Sequence, residues 1–394
     1  MLKDFLQQTS TKYSGMKQVY QCIFDQGPST KATLLEQTGM KQTTLTRHLD
    51  YLLQEKYIDV AAYQASSGGR PPALYHINPN AGYMVGVDLS RMKSTVVLVN
   101  IEMEEIDHYT LNMTETHTGE KTLAEIDQAI QQLLQLHQIP RDKFLGIGIG
   151  TVGPLDRKRG MMLDTKGFMA SGWRNFSLID HLPSFQQEKI ILENGANAAT
   201  LHTYSQGELN ELSILYCISG RGLRCGVLAD GRLLKNETGD VSSFGEMIID
   251  IKTRQTLSSL ITYDYLLQEV NRRYLAETSS PFYPETFTKS LLMELLLDGL
   301  RQHDPIIEAV LLESAEVYGI GLANIVNIIQ PDRVVLNSVL IQAYPSYYEK
   351  VVETAVKYID RQERVPILFH QENDPEKAIA NGAAAMIFKS FFPS

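Results

Sequence analysis

The sequence has 394 residues, 43% of them hydrophobic and 21% charged, with 27 Gly and 15 Pro. This excludes a disordered, collagen-like or low-complexity chain and leaves an ordinary globular protein of two or three domains. No apolar run approaches the roughly 18–20 residues that span a bilayer. The opening MLKDFLQQTSTKYSG lacks the apolar stretch of a secretory signal, and Cys22, Cys217 and Cys225 are too few and too scattered for a disulfide framework, so a cytoplasmic protein is expected. The net charge of −10 is uneven: residues 1–80 hold eight Lys/Arg against six acids, and the remaining 314 hold 28 against 40. A small basic module joined to a large acidic body suits a chain whose N-terminal part meets phosphates and whose body does not.

Within 14–27 (SGMKQVYQCIFDQG), Met16, Val19, Tyr20, Ile23 and Phe24 recur at the spacing of an amphipathic helix, and Gly27-Pro28 stops it. Ser29 or Thr30 then caps a second helix, KATLLEQ, ended at Thr38-Gly39 with Gly39 as the left-handed turn residue. A third helix starts near Lys41, with Leu45, Leu49, Leu52 and Leu53 on its inner side. Its polar face offers Gln42, Thr43, Thr44, Thr46, Arg47 and His48. Two helices joined by a tight Gly turn form a helix-turn-helix, and a hairpin (YIDVAAYQ, then SSGGRPP, then ALYHI) makes it winged. Early side chains of a recognition helix reach base edges in the major groove. A Gly/Pro-stiffened tip presenting Arg70 has the shape that inserts a guanidinium into a narrow A·T-rich minor groove. The expected DNA contacts are therefore Gln42, Thr43, Thr44, Thr46, Arg47 and Arg70, and the expected partner is a double-stranded operator.

From Tyr83 the pattern changes. GYMVGVDLSRMKSTVVLVNIEMEEIDHYTLNM reads as three strands, followed by a helix (TLAEIDQAIQQLLQLH) and a buried strand, FLGIGIG, that ends in the loop Thr151-Val152-Gly153-Pro154. A second block near Leu212, SILYCISGRGLRCGVLADGRLLKN, repeats strand, turn, strand, turn, strand; long helices and a further strand, RVVLN, come later. Two such copies imply a duplicated α/β body.

At these residues a resemblance enters. SGGRPPALYHINPNAGYMVGVDLS, GIGIGTVGPLD, SGWRNFSLIDHL, ILENGANAAT, GRGLRCGVLADGRLLKN, FGEMIID, NIVNIIQPDRVVLN and AIANGAAAMIF follow one another as in the ROK family of repressors, open reading frames and sugar kinases. The chain resembles its repressor branch. The resemblance implies a winged helix-turn-helix over 1–80. Over 81–394 it implies an actin-like, sugar-kinase-like (ribonuclease H-like) two-lobed effector-binding and oligomerisation domain, with the lobe boundary near 200–212. Folds of this type bind a nucleotide and a sugar in the cleft between their halves.

The departures from the family pattern bear on activity. Kinases of the family carry Asn-Asp, the aspartate taking the sugar hydroxyl proton; here the pair is Asn194-Gly195, which has no such base. Their first phosphate loop resembles Asp-Leu-Gly-Gly-Thr, against Asp88-Leu89-Ser90-Arg91-Met92 here. The second loop, Gly220-Arg221-Gly222-Leu223-Arg224, has Arg224 at a usual glycine, and the family's later Gly-Gly is Asn337-Ser338. Side chains stand where glycines let backbone N–H groups approach phosphate. The zinc motif is missing as well: Ser243-Phe244-Gly245-Glu246 lacks the histidine and no cysteine-rich loop follows, so no metal and no cofactor are expected. Gly153, Asn194 and Glu246 are the candidates to meet an effector. Trp173, the only tryptophan, is read first as a core aromatic and second as a sugar-stacking surface.

The expected protein is thus a non-catalytic repressor, sugar-responsive and assembled as a homodimer or tetramer with no membrane partner. The late segment SAEVYGIGLANIVNIIQ, with Val317, Ile320, Leu322, Ile325 and Ile328, is the candidate for assembly. The alternatives are a kinase with an extra N-terminal module and a DNA-binding regulator with a vestigial cleft.

Overall fold

A computed structural model describes residues 1–63, 72–165, 167–206, 213–237, 243–283, 289–360 and 367–392. They form two units, Met1–Gly195 with Ile379–Ser394, and Ala196–Ala378. In the first unit the apolar stripe expected at 14–27 lies on a longer helix, α2 (Thr11–Gln26), preceded by a short α1 (Leu2–Gln7) that the sequence reading did not anticipate. Six residues are too few to show a helical period, yet Leu2, Phe5 and Leu6 are all buried. Then follow β1 (Ser29–Thr30), α3 (Lys31–Thr38), α4 (Gln42–Gln54), β2 (Ile58–Tyr63) and β3 (Ala73–Ile77). The three strands pair in the order β1-β3-β2, with β2 and β3 antiparallel and Ile58 opposite Ile77. Residues 64–71 of the hairpin, Arg70 among them, lie outside the described residues.

The body of this unit is a five-stranded sheet built from β4 (Tyr83–Leu89), β5 (Lys93–Asn100), β6 (Glu105–Asn112), β7 (Phe144–Thr151) and, beyond two intervening short strands, a fifth strand at Ile190–Asn194. The helix α5 (Gly119–Leu136) joins β6 to β7, and β8 (Leu155–Asp156), β9 (Met161–Met162) and β10 (Phe176–Ser177) form a small separate sheet. With Ile190–Asn194 numbered β11, the order is β11-β7-β4-β5-β6. β4, β5 and β6 run antiparallel, while β7 and β11 join parallel to β4.

The second unit repeats this plan. After α6 (Gly195–Gln206), which opens at the boundary, come β12 (Ile214–Ser219), β13 (Leu223–Ala229) and β14 (Arg232–Leu233). The helices α7 (Leu257–Ile261), α8 (Tyr263–Thr278), α9 (Lys289–Arg301) and α10 (Pro305–Ile329) precede β15 (Arg333–Asn337). α11 (Val339–Ala343), α12 (Pro345–Tyr358) and β16 (Leu368–Gln371) complete it. The order β14-β13-β12-β15-β16, antiparallel on one side of β12 and parallel on the other, matches that of the first sheet. The duplicated α/β fold read from the strand pattern is therefore present in both halves. α13 (Ala378–Lys389) returns the chain to the first unit.

One apolar core runs from the N-terminal helices into the sheet of the first unit. Leu2, Phe5, Tyr20, Ile23, Leu34, Leu45 and Leu49 share it with Met84, Val97, Leu145, Ala380, Ala384 and Phe388. The seam is aromatic: Phe24 and Phe388 rings lie 4.0 Å apart, and Phe392 stacks on Tyr20 at 6.5 Å. Beyond area burial, such aromatic pairs add about 0.5–1.5 kcal/mol each. Among the described residues, no helix is long and apolar enough to cross a membrane.

Candidate nucleic-acid interface and ligand loops

The helix-turn-helix is locally well specified. Thr30 caps α3 by accepting from the Thr33 amide at 3.2 Å, and Gly39 closes the turn at φ 63°, a left-handed conformation suited to glycine. The Lys41 carbonyl accepts from Thr44 and Leu45 at 3.0 Å and starts α4. With Leu45, Leu49 and Leu52 buried, the opposite side of the first two turns faces solvent. There Gln42, Thr43 and Arg47 are exposed, and Thr44 and Thr46 are half-buried. Five of the six expected DNA contacts thus share one stretch of α4; the sixth, Arg70, is outside the described residues.

His48 corrects the sequence reading. Expected on the polar face, the side chain is only 5% exposed and packs against α2, where Gly15 makes room: a Cβ at Gly15 would stand 2.9 Å from His48 Nε2. Burial, with Arg47 beside it, holds the imidazole below its usual pKa. Gly15 inside an amphipathic helix was the available signal of a close approach.

In the first unit, the loop after β4 is tied down by Ser90, whose hydroxyl donates to Asp88 at 2.5 Å. Thr151 Oγ1 at the end of β7 donates to the Leu89 carbonyl at 2.8 Å, linking the two strand ends, and Gly153 follows it, half-buried. Asn194 ends β11 and is 1% exposed. Its neighbour Glu193, equally buried, is an ion-pair partner the sequence reading missed: Arg157 donates to it from Nε at 2.9 Å and Nη2 at 2.7 Å. The same carboxylate accepts from the Asn194 amide at 2.8 Å. Gly195, at the family's aspartate position, is packed by α13: a Cβ there would lie 3.1 Å from Ile379 Cδ1. Trp173 is a core aromatic, 3% exposed, with Nε1 donating to the His117 carbonyl at 3.2 Å and Phe168 stacked at 4.3 Å.

In the second unit, side chains of the chain itself occupy the surroundings of the altered glycine loops. The Tyr263 ring packs on Gly220, 3.1 Å from the position of a Cβ, and its hydroxyl accepts from the Val339 amide at 3.2 Å. Burial pushes the Tyr263 phenol up to about 12. Asn337 Nδ2 donates to Tyr216 Oη at 3.0 Å, and Tyr216 donates to Glu372 at 2.7 Å. Ser338 caps α11 through the Ile341 amide at 3.1 Å. Glu246 is exposed at the end of a 3-10 turn, Ser243–Glu246. Gly153 and Asn194 thus belong to the first unit and Glu246 to the second. Cys217 and Cys225 face each other across β12 and β13 as buried thiols, Sγ to Sγ 3.5 Å. Among the described residues, no group of three or more His, Cys, Asp or Glu is placed to hold a metal ion.

Residues 84–259 match the model of the ROK family. The chain carries a ROK family domain. It is 25% identical over 337 residues to the xylose repressor of Caldicellulosiruptor bescii, covering 81% of this chain and 82% of that one. It is 25% identical over 351 residues to the xylose repressor of Bacillus subtilis, covering 87% of this chain and 86% of that one. Among solved structures, a ROK family transcriptional regulator described as a homolog of the E. coli MLC protein superposes with a TM-score of 0.75 at 17% identity, over 95% of this chain and 96% of that one. A ROK hexokinase from Thermus thermophilus superposes with a TM-score of 0.62 at 24% identity, over 78% of this chain and 98% of that one. The ROK fold is therefore shared with both a regulator and a kinase, and the N-terminal part forms the additional helix-turn-helix segment.

Proposed function

We propose that the protein is a transcriptional repressor that binds operator DNA through α4 and the wing, responds to a sugar, and does not transfer phosphate. The observation that carries this is the row Gln42, Thr43 and Arg47, exposed on the opening turns of the second helix of a helix-turn-helix. Thr44, Thr46 and the wing's Arg70 complete the proposed contact set. Relatives covering more than four-fifths of their own length are named xylose repressors, so xylose is the first effector to test. Gly153, Asn194 and Glu246 are the proposed effector contacts. Against catalysis stand Gly195, which offers no base, and Tyr263, whose ring and hydroxyl take up space and a backbone amide near the second glycine loop. A regulator of this kind acts in the cytoplasm, where operator and sugar meet. It binds as a dimer or tetramer on an inverted repeat that is rich in A·T where Arg70 enters.

The test is fluorescence anisotropy with duplexes from the DNA upstream of its own coding region. Arg47→Ala is expected to weaken binding by about 1–3 kcal/mol if the guanidinium reads a base. Wild-type protein that binds no such duplex at low salt, or an Arg47→Ala variant of unchanged affinity, would overturn the proposal.

A further inference from the structure

Where the helix-turn-helix meets the rest of the first unit, the chain leaves a cleft of about 470 Å³. Lys17 reaches into it from α2, and Lys189 from the residue that precedes β11. Lys17 Nζ donates to the Gln8 and Phe391 carbonyls, each at 3.1 Å. Lys189 Nζ donates to the Ser390 carbonyl at 3.3 Å and lies 4.3 Å from the centre of the Phe391 ring. The two ammoniums are thus drawn onto adjacent carbonyls just past the end of α13. Neither makes an ion pair among the described residues.

The charge around the cleft is one-sided. Its wall holds one carboxylate, Glu188, and both oxygens of that group are taken: Lys3 Nζ lies 2.5 Å from Oε2 and Arg141 Nη1 3.4 Å from Oε1. Four cations therefore stand around one acid, on a chain of net charge −10. Asp4 and Asp142, beside Lys3 and Arg141 in sequence, do not line the cleft, and Asp4 holds the N-terminal ammonium at 3.7 Å. The carbonyls at the end of α13 add only about half a negative charge, which a single ammonium more than cancels. Burial holds both lysines below their ordinary pKa, and the charge of Lys17 lowers Lys189 further. An anion between them relieves that repulsion.

We infer that the cleft binds a small phosphorylated polyol, its phosphate between Lys17 and Lys189 and its hydroxyls on Gln7, Thr9 and Gln187. The donor count fits. An ammonium offers three N–H groups; Lys17 spends two on carbonyls and Lys189 one, so three remain for the oxygens of a phosphate. The size of the cleft falls in the range of small-molecule sites, and a bare phosphate would leave most of it empty. Gln7, Thr9 and Gln187 line it as exposed, uncharged amide and hydroxyl groups, which suit hydroxyls in place of a second charge or an apolar tail. Gly153, Asn194 and Glu246 are not among its lining residues, so this is a site apart from the proposed effector contacts. Lys17 belongs to the helix-turn-helix and Lys189 to the approach to β11, so the bound phosphate ties the two together and stabilises their seam. The inference stands without the DNA-binding proposal.

Calorimetric titration of the purified full chain with ribose 5-phosphate, inorganic phosphate and ribose, at constant ionic strength and without DNA, tests this. Ribose 5-phosphate is expected to bind with a Kd of about 1 mM or tighter, inorganic phosphate at least roughly 5-fold more weakly, and ribose not measurably at this cleft. Lys17→Gln and Lys189→Gln are each expected to weaken the phosphate ester at least roughly 10-fold, the loss of a hydrogen bond to a charged group. Glutamine keeps a donor for the carbonyls beyond α13, so circular dichroism and melting of the ligand-free variants should remain those of a folded chain. Glu188→Gln removes the acid and leaves the cations, and is expected to tighten binding; a purely structural role for these side chains would not give opposite effects. A wild type that binds neither phosphate probe, equal affinity for inorganic phosphate and the ester, lysine variants of unchanged affinity, or weaker binding by Glu188→Gln would each overturn the inference. So would lysine variants that lose affinity only for duplex DNA. A chain that binds the ester but no operator would sink the DNA-binding proposal and leave this one standing.

Discussion

At position 48 the chain buries an imidazole among leucines of α4, against the glycine of a neighbouring helix. Desolvation penalises its charged form, and Arg47 opposes the proton further, so the folded chain binds that proton less readily than the unfolded chain does. Stability contributed here is complete above the ordinary histidine value of 6.5 and falls as the pH drops through it. His202 on α6 is lowered for the same first reason, with Glu372 and Asp374 pulling the other way. Thermal melts taken from about pH 8 down to about pH 5.5 should therefore show a steeper loss for the wild type than for His48→Gln. Parallel pH profiles for the two would contradict this. The same packing logic applies at Gly195, where Ile379 leaves little room for the aspartate that the family's kinases carry.

At the scale of elements, α13 is seated on a glycine groove. Gly86 of β4 and Gly148 of β7 are register partners, and a Cβ on either would stand 1.8 Å from a helix carbonyl, of Ala380 and Ala383 respectively. The helix therefore lies directly on strand backbone, with its alanines inward and Phe388 reaching Phe24 of α2. Gly86→Ala is expected to cost about 1–3 kcal/mol or more through displacement of α13. It should also raise hydrogen exchange in α2, which loses its aromatic partner. An unchanged melting temperature would show that the groove is not needed.

Much of this was readable in the sequence. The stripe of α2, the Gly39 turn, the three-strand runs and the buried strand FLGIGIG follow from local periodicity and turn chemistry, and each appears as an element of that type. What escaped depends on tertiary contact. α1 is too short to show a period, His48 looks polar on a wheel, and Glu193 gives no hint of Arg157, 36 residues away. AIANGAAAMIF stands in the sequence only as a stretch of the family resemblance, and it takes the sheet to explain why the inner face of α13 is alanine.

For the whole molecule, the helix-turn-helix is not an appendage on a tether. Its helices share a core with the sheet and with α13, so loosening of that core has a direct route to α4. Lys3 to Glu188 at 2.5 Å and Lys17 to the Phe391 carbonyl at 3.1 Å tie the same seam from outside. Sugar-responsive operator binding can be measured by anisotropy titrations on an inverted-repeat duplex with and without xylose and other sugars. Tight, sequence-preferring binding is expected in the sugar-free state, weakened at least roughly 5-fold by one sugar, a typical coupling of about 1 kcal/mol or more. Binding that shows no preference for sequence and no response to any sugar would contradict it.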